Sequence, residues 1–371
     1  MILIYISLGL LLFYCSLILF YWSGWRSIKP YTSSKNDLLV SISVIIPARN
    51  EEKNIGHLLS SLEKQTYPKN LFEVIVIDDH SDDRTVEVVK KFPDVTLLKL
   101  GEENINSYKK KAIETGIDLA KGDLIVTTDA DCIVPENWLK TIASFKFEQN
   151  AKFIAAPVLI QHDSSVLQTF QFFDFMVLQG ITASSVSKRI HSMCNGANLA
   201  YEKETFYDVN GFKDIDHIAS GDDMLLMEKI SKQHPDKVFF LLADQAIVFT
   251  QPAFTWKEFF QQRIRWASKA TTYSDIKIFS ALFIVYFFNC SLLALFIAGF
   301  WQHDLWLVLI GFFLIKTIVE LIFLIPIATF FKKKDQLYLF PLFQPLHIIY
   351  TIIAGWLGTF GSFEWKGRRV K

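Results

Sequence analysis

The chain has little cysteine and no excess of charge of either sign. Its 371 residues include four Cys, and 38 Lys and Arg balance 38 Asp and Glu, so the formal net charge is zero. A balanced charge gives no long-range field that would favour nucleic acid as a partner. The cysteines form no Cys-x-x-Cys pair, so reduced cytoplasmic thiols are expected rather than disulfides or a zinc site. They are Cys15, Cys132, Cys194 and Cys290.

Apolar residues are abundant, at 51% of the chain with 34 Phe, which is high for a soluble protein. Residues 2–22 form the first long apolar run. Its length matches the roughly 20 residues that a membrane-spanning helix needs. The run lacks the basic start and small-residue cleavage site of a signal peptide, and Arg26 and Lys29 follow it. We therefore expect residues 1–24 to be an uncleaved anchor whose C-terminal end lies in the cytoplasm.

Further membrane-type segments follow in the last third of the chain. Residues 251–275 mix aromatic and basic side chains, which is typical of an interfacial amphipathic helix. Residues 276–331 hold two apolar runs that are each long enough to span a bilayer. A third run within 336–362 contains several Pro and Gly, and a basic tail at 363–371 follows it. A full span would place that tail outside the cytoplasm, so a re-entrant or broken hairpin is favoured.

Between these segments, a linker at 25–40 precedes a soluble domain at 41–250. Strand-like and helix-like stretches alternate there, which predicts an α/β fold with a mostly parallel sheet and ligands at the carboxyl ends of its strands. The strand-like runs are 43–48, 72–79, 95–100 and 123–131, and the second and fourth end in acidic clusters. The first two helices are expected to begin near Asn50 and near Ser81 or Asp82, and the third is expected to carry Lys109 to Ala120 and to end at Gly122.

Two motifs carry chemistry that follows from their side chains. In Asp129-Ala130-Asp131, carboxylates at i and i+2 of a strand end point to the same side and suit one divalent cation. A cation held in this way suits a diphosphate. In Gln262-Arg263-Ile264-Arg265-Trp266, an amide, a cation and an aromatic ring together suit phosphate and sugar. The two motifs indicate an enzyme that uses a nucleotide-activated sugar at a bilayer surface.

Five motifs in order resemble those of the membrane-anchored family 2 glycosyltransferases. The resemblance covers roughly residues 40–270 and implies a GT-A fold with a central, mostly parallel sheet flanked by helices. It also implies an inverting, hexosyltransferase-type enzyme. Each motif alone is weak, and their order and spacing together carry the signal. The motifs are Val44–Glu51, Val76–Ser81, Asp129-Ala130-Asp131, Gly221-Asp222-Asp223 and the Gln-x-x-Arg-Trp element.

On the donor side, the resemblance implies a nucleotide pocket at the first two strand ends and a Mn²⁺ or Mg²⁺ ion at Asp129 and Asp131. His80 stands where the family pattern has Gly, which puts the geometry of that turn in question. For the lysines at 109–111, a solvated basic helix start is the competing interpretation. The implied donor-binding residues are Pro47, Ala48, Asn50, Glu51, Asp79, Lys109, Asp129, Gln262 and Arg265.

For catalysis, the resemblance makes Asp223 the general base, with Asp222 beside it. We also expect Asp222 to cap a helix over 223–231. The acceptor side is implied to include Asn195, Gly196 and Trp266. For Arg263 the rival interpretation is a snorkelling side chain on an interfacial helix.

The expected reaction is inverting transfer of a sugar, by direct displacement, from a UDP-linked donor. The expected acceptor is a membrane lipid or glycan at the cytoplasmic face of the cell membrane. A processive polysaccharide synthase subunit, which would need an export partner or a homo-oligomer, is the alternative within this class. A nucleotidyltransferase or a non-catalytic membrane scaffold is the alternative outside it.

Overall fold

The structure of the chain is a computed structural model. It describes residues 1–32, 40–101, 105–163, 165–190, 193–218, 220–268, 276–360, 363–365 and 368–370. Internal contacts divide the chain into two compact units. The α/β unit comprises Ile28–His162 and Ser185–Pro252, and the apolar unit comprises Met1–Ser27, Asp163–Ser184 and Ala253–Lys371. The predicted soluble domain at 41–250 therefore contains one stretch, Asp163–Ser184, that groups with the apolar unit.

Helices and strands are numbered in chain order. The strands are β1 (Ile42–Ala48), β2 (Phe72–Asp78), β3 (Val95–Lys99), β4 (Leu124–Thr127), β5 (Phe153–Ala155), β6 (Val158–Ile160), β7 (Leu199–Glu202), β8 (Val238–Phe240), β9 (Val248–Thr250), β10 (Phe363–Trp365) and β11 (Arg368–Val370). The α-helices are α1 (Ile2–Ser27), α2 (Ile55–Glu63), α3 (Thr85–Val89), α4 (Tyr108–Leu119), α5 (Trp138–Gln149), α6 (Val166–Ser187), α7 (Lys203–Asp208), α8 (Met224–Gln233), α9 (Trp256–Ala267), α10 (Ile276–Ala298), α11 (Asp304–Phe330) and α12 (Phe340–Phe360). Short 3-10 helices lie at Lys69–Leu71, Asp244–Ala246 and Lys334–Leu339.

A seven-stranded sheet with the order β3-β2-β1-β4-β7-β5-β8 organises the α/β unit. β1 pairs in parallel with β2 and β4, β2 with β3, and β5 with β8, whereas β7 runs antiparallel to β4 and β5. A separate parallel pair joins β6 to β9. The mostly parallel sheet flanked by helices, expected from the sequence, is confirmed.

Burial explains why β1 is a nearly continuous apolar run. Val44, Ile45 and Ile46 are all fully buried, as expected for a central strand covered on both faces. The neighbouring helix α4 comes close to β1 at Gly116, where an added Cβ would lie 2.6 Å from a methyl carbon of Ile45. The absence of a side chain at Gly116 thus lets α4 lie directly on the strand that leads into the predicted nucleotide pocket.

Two of the predicted helix starts are wrong. α2 begins at Ile55 rather than near Asn50, and α3 begins at Thr85 rather than at Ser81 or Asp82. The polar residues predicted as caps instead bond between the two loops, as described below. The third helix, α4, begins at Tyr108, one residue before its predicted start, and ends at Leu119, three residues before Gly122.

Among the described residues, four helical segments are long and apolar enough to cross a membrane. They are Ile2–Ser27, Ile276–Ala298, Asp304–Phe330 and Lys334–Thr359. Of the predicted interfacial helix at 251–275, Trp256–Ala267 is helical, while 269–275 lie outside the described residues.

The broken-hairpin hypothesis for the last apolar run is wrong, because α12 is one continuous helix with Pro345 inside it. Its glycines serve close packing rather than a break. An added Cβ on Gly355 would lie 2.7 Å from the Tyr286 ring, and one on Gly358 would lie 2.6 Å from the Ala267 Cβ. Small residues of this kind let neighbouring helices approach closely.

Gly122→Ala should destabilise the fold. An added Cβ would lie 2.5 Å from the backbone carbon of Ile42 and 2.5 Å from the backbone nitrogen of Ser43. Backbone atoms cannot move aside as the end of a side chain can, so we expect a loss of about 2 kcal/mol of unfolding free energy. Thermal unfolding of the purified protein measures this loss. Gly101→Ala is the control, because nothing lies within 4 Å of its added Cβ. Equal midpoints for the two variants would contradict the close approach.

Candidate active site

The carboxyl ends of β1 and β2 lie side by side. Ala48, the last residue of β1, is in register with Asp78, the last residue of β2. The backbone N–H of Asp79 donates to the carbonyl oxygen of Ala48 at 2.8 Å. Pro47, Ala48 and Asp79, all predicted to contact the nucleotide, therefore meet at one edge of the sheet.

The loops that follow these two strands are bonded to each other. The N–H of Asn50 donates to the Ser81 hydroxyl at 3.0 Å, and the Asn50 side-chain oxygen accepts from the N–H of Asp82 at 2.8 Å. The N–H of Glu51 donates to the Thr85 hydroxyl at 2.7 Å. These bonds explain why Asn50, Ser81 and Asp82 do not begin helices. They also place the predicted donor residues Asn50 and Glu51 on a firmly tied pair of loops.

His80 adopts the backbone conformation for which glycine is usually selected. Its φ is +52°, in the left-handed region that costs a residue with a side chain about 1 kcal/mol. Its Nδ1 lies 3.1 Å from Asp79 Oδ1, and Arg49 Nη1 donates to the carbonyl oxygens of Asp79 and His80 at 2.8 and 3.0 Å. The departure from the family pattern at this position therefore leaves a left-handed turn in place.

Lys109, in the first turn of α4, joins two acidic motifs. Its ammonium nitrogen lies 2.7 Å from Asp129 Oδ1 and 3.2 Å from Asp222 Oδ2. Removal from water by itself lowers the pKa of Lys109, but the nearby negative charges of Asp129 and Asp222 outweigh that effect and raise this pKa above its ordinary value. Lys109 therefore stays positively charged and links Asp129, which follows β4, to Asp222, which lies just before α8.

The two following lysines have separate roles. Lys110 is 1% exposed, and its ammonium donates to three backbone carbonyl oxygens at 2.6 to 2.9 Å. Lys111 pairs with Glu114 one turn along α4. A solvated helix start thus describes Lys111 alone, and sequence reasoning missed that Lys110 holds the segment leading into Gly221. The three carbonyls belong to Ile215, Ile218 and Ser220.

Asp223, not Asp222, caps α8, so the predicted cap is wrong. One oxygen of Asp223 accepts from the N–H of Met224 at 2.7 Å, and the other accepts from the N–H of Gly196 at 3.3 Å. The side chain of Asp222 is directed to Lys109 instead. Gly221, with φ of +83°, makes a left-handed turn immediately before these two carboxylates.

The predicted acceptor residues lie against this acid cluster. An added Cβ on Gly196 would lie 3.1 Å from Asp222 Oδ2 and 3.1 Å from Lys109 Nζ. The side-chain oxygen of Asn195 accepts from the N–H of Ala197 at 3.0 Å, which closes a tight turn. Within the α/β unit, the structure therefore brings Asn195 and Gly196 together with the donor-side lysine and the acid pair.

Asp129 and Asp131 follow β4 rather than lying on it. β4 ends at Thr127, so the argument that two strand side chains share one face is wrong. Among the described residues, no group of three or more His, Cys, Asp or Glu could hold a metal ion. Asp129 nevertheless already holds one cation, the ammonium of Lys109. Two carboxylates would supply only part of a metal ion's ligands, so an ion held by Asp129 and Asp131 would take its remaining ligands from a diphosphate and water, as Mg²⁺ commonly does.

Cys132, the thiol beside this pair, is buried. Burial, reinforced by the negative charges of Asp131 and Asp129, raises the pKa of Cys132 well above its ordinary value. A protonated, buried thiol is a poor nucleophile and a poor metal ligand.

The Gln-x-x-Arg-Trp element lies on α9, in the apolar unit. A capping box between Thr255 and Glu258 fixes the start of this helix. The snorkelling interpretation of Arg263 is wrong, because its side chain is 3% exposed and pairs with Asp174 at 2.7 Å. The roles of Gln262, Arg265 and Trp266 in substrate binding stay predictions.

Comparison with known proteins agrees with these features. Residues 43–207 match the family described as Glycosyl transferase family 2. Glycosyltransferase AglE of Haloferax volcanii is 27% identical over 60% of this chain and 71% of its own length. The poly-beta-1,6-N-acetyl-D-glucosamine synthase of Staphylococcus epidermidis is 25% identical over 63% of this chain and 55% of its own length. The poly(ribitol-phosphate) beta-N-acetylglucosaminyltransferase TarS of Staphylococcus aureus is 36% identical, but over 30% of this chain and 20% of its own length.

Among solved structures, the mannosyltransferase PcManGT from Pyrobaculum calidifontis, in complex with GDP-Man and Mn²⁺, superposes with a TM-score of 0.61. The superposition covers 96% of this chain and 98% of that one at 19% sequence identity, so it speaks for a shared fold. With the GT-A sheet, the ordered motifs and the matching family region in agreement, this chain is a glycosyltransferase whose residues 43–207 match glycosyl transferase family 2.

Proposed function

We propose that the protein transfers a sugar, with inversion, from a UDP-linked donor to a membrane lipid or glycan acceptor at the cytoplasmic face of the cell membrane. In this proposal Asp223 is the general base, Asp222 supports it, and a divalent metal assists departure of the nucleoside diphosphate. The observation that carries the proposal is the junction at Lys109, which lies within hydrogen-bonding distance of both Asp129 and Asp222. Donor-side and base-side acids thus share one small site.

Asp223 is held in a defined orientation for proton transfer. Backbone N–H groups of Met224 and Gly196 each bind one of its oxygens. A carboxylate oxygen has more than one lone-pair site, so it can still accept a proton from an acceptor hydroxyl. As that proton moves to Asp223, the hydroxyl oxygen bonds to the anomeric carbon. The bond from this carbon to the diphosphate breaks, and its electron pair leaves with the nucleoside diphosphate.

Lys109 and the metal ion are assigned to stabilising the negative charge of the departing nucleoside diphosphate. With its pKa held above the ordinary value, Lys109 stays charged and can donate to a phosphate oxygen. A Mn²⁺ or Mg²⁺ ion bound by Asp129 and Asp131 would stabilise negative charge on the departing diphosphate. PcManGT, which shares the fold, was solved with Mn²⁺ and GDP-Man, and the proposal extends divalent-metal use to this chain.

At the nucleotide end, Asp79 is the residue we assign to the ribose hydroxyls or the uracil N–H. A carboxylate accepts hydrogen bonds from either group. Pro47 and Ala48 would lie against the base, while Asn50 and Glu51 line the same pocket. Gln262 and Arg265 are assigned to the diphosphate, and Trp266, with Asn195 and Gly196, to the acceptor.

In the part of the chain that the structure describes, four helical segments are able to cross a membrane, which favours a lipid or a membrane-held glycan as acceptor. The similarity to a poly-beta-1,6-N-acetyl-D-glucosamine synthase supports a second candidate, a processive synthase subunit acting with an export partner or as a homo-oligomer. The length of the product separates the two candidates. A nucleotidyltransferase would release pyrophosphate rather than a nucleoside diphosphate.

Asp223→Asn should abolish donor turnover. The purified protein in native lipid extract is incubated with a panel of nucleotide sugars and Mn²⁺ or Mg²⁺, and the released nucleoside diphosphate is measured. One donor should give release, and the variant should be slower by at least about 100-fold, because a general base typically contributes that much. Asp208→Asn, at an exposed acid of α7, should turn over normally.

Turnover by Asp223→Asn equal to that of Asp208→Asn would refute the base assignment. Release of pyrophosphate instead of a nucleoside diphosphate would indicate nucleotidyl transfer and contradict the proposed sugar transfer. No release with any donor in native lipid extract would favour a missing partner or a non-catalytic scaffold.

Removal of the metal should weaken binding of UDP. Calorimetry on the unmodified protein should show at least about tenfold tighter UDP binding with Mn²⁺ than with EDTA, a loss typical of a disturbed metal site. Asp129→Asn and Asp131→Asn should reduce this difference, and Asp208→Asn should keep it. If UDP binds equally well with Mn²⁺ and with EDTA, the metal assignment fails while the base assignment stands.

A further inference from the structure

Arg263 touches two of the three residues that define the Gln-x-x-Arg-Trp element. Its Nη1 donates to the side-chain oxygen of Gln262 at 3.2 Å. Its guanidinium carbon lies 4.2 Å from the centre of the Trp266 ring. A planar guanidinium that stacks on one side chain and bonds to another restricts the orientation of both. Arg263 is therefore in contact with the amide and the ring that the motif presents.

Arg263 is in turn held by residues from two other helices. Its Nη2 pairs at 2.7 Å with Asp174 of α6, and both side chains are at most 4% exposed. The hydroxyl of Tyr350, on α12, donates to the other oxygen of Asp174 at 2.5 Å. An unbroken series of contacts thus runs from α12 through α6 to the motif on α9.

Aromatic rings surround this ion pair and exclude water from it. Phe170, Phe259 and Tyr350 contact one another with ring centres 5.5 to 5.6 Å apart. The guanidinium carbon of Arg263 lies 4.9 Å from the Phe259 ring centre. In such dry surroundings, a charge pair resists any displacement that would leave one charge unpaired.

The N-terminal half of α12 is fixed by a second buried polar group. Lys316 of α11 donates to Gln344 Oε1 at 2.5 Å and to Glu320 Oε1 at 2.6 Å. The amide of Gln344 donates to the other oxygen of Glu320 at 2.5 Å, and the hydroxyl of Tyr14 on α1 also donates to Glu320. α12 is therefore tied to α1 and α11 about two turns before Tyr350.

Burying these charged side chains between helices costs desolvation free energy. A buried ion pair contributes little more stability than well-packed apolar side chains, and charged residues in membrane segments are costly. What such a pair adds is a defined orientation. The polar contacts therefore fit a positioning role better than a role in stability alone.

We propose that Arg263, Asp174 and Tyr350 are positioning residues that orient Gln262 and Trp266, so that α12 is part of the catalytic apparatus and not only a membrane anchor. This inference rests on the proposed role of Gln262 in donor binding. Through Asp174, Tyr350 acts on a motif about 84 residues before it in the chain.

The test uses the full chain in lipid nanodiscs, with UDP and Mn²⁺ as the probe. Tyr350→Phe removes one hydroxyl and keeps the ring, so the packing of Phe170 and Phe259 should survive. We expect UDP affinity to fall about fivefold, at the low end of typical coupling between sites. In a Gln262→Ala background, Tyr350→Phe should cause no further loss, because the group through which it acts is gone. Asp174→Asn should weaken UDP binding more than Tyr350→Phe does.

Tyr286→Phe is the matched control, because Tyr286 also packs on α12 but against Gly355. It should leave UDP affinity unchanged. An unchanged affinity in Tyr350→Phe would overturn the inference, and so would an equal loss in the presence and absence of Gln262, which would indicate general loosening. If the unmodified protein binds neither UDP nor GDP, the proposed donor site itself fails, and the variants are not the cause.

Discussion

Parallel pairing of β1 with β2 on one side and β4 on the other is the constraint on which the site depends. Parallel strands end at the same edge, so the loops after β1, β2 and β4 are brought together there. The loops after β1 and β2 then bond to each other through Asn50, Ser81 and Asp82. α4 returns the chain to β4 and carries Lys109 to Asp129. One hydrogen-bonding pattern therefore accounts for the proximity of acids that lie far apart in the chain.

Two neighbouring lysines at the start of α4 have different roles: one belongs to the candidate active site, and the other holds a backbone segment in place. Lys109 links Asp129 to Asp222, whereas Lys110 holds the backbone segment that ends at Gly221. The left-handed turn at Gly221 leads directly into Asp222, which pairs with Lys109, and Asp223, which caps α8. The proposed base is thus positioned by a helix cap and by a buried ammonium in another helix.

In the apolar unit, buried charged and polar side chains also connect elements that lie far apart in the chain. Four of its described helical segments are long and apolar enough to cross a membrane, yet the unit buries charged and polar side chains that contact one another. Such groups join α1, α6, α9, α11 and α12, and the contacts end at the Gln-x-x-Arg-Trp element. Under the proposed positioning role, these contacts set the orientation of Gln262 and Trp266 in that element.

By itself, the sequence determined the fold class, the apolar segments and the candidate residues, because burial on both faces of a strand and length in a bilayer leave local patterns. Helix starts, the cap of α8, the continuity of α12 and the burial of Arg263 were decided only by tertiary structure. Each depends on which distant partner a polar group finds: Asn50 bonds to the next loop, Asp222 turns to Lys109, and Arg263 meets Asp174. Local periodicity cannot report partners that lie tens of residues away. For the same reason, only the family resemblance favoured Lys109, against a solvated basic helix start for each of the three lysines.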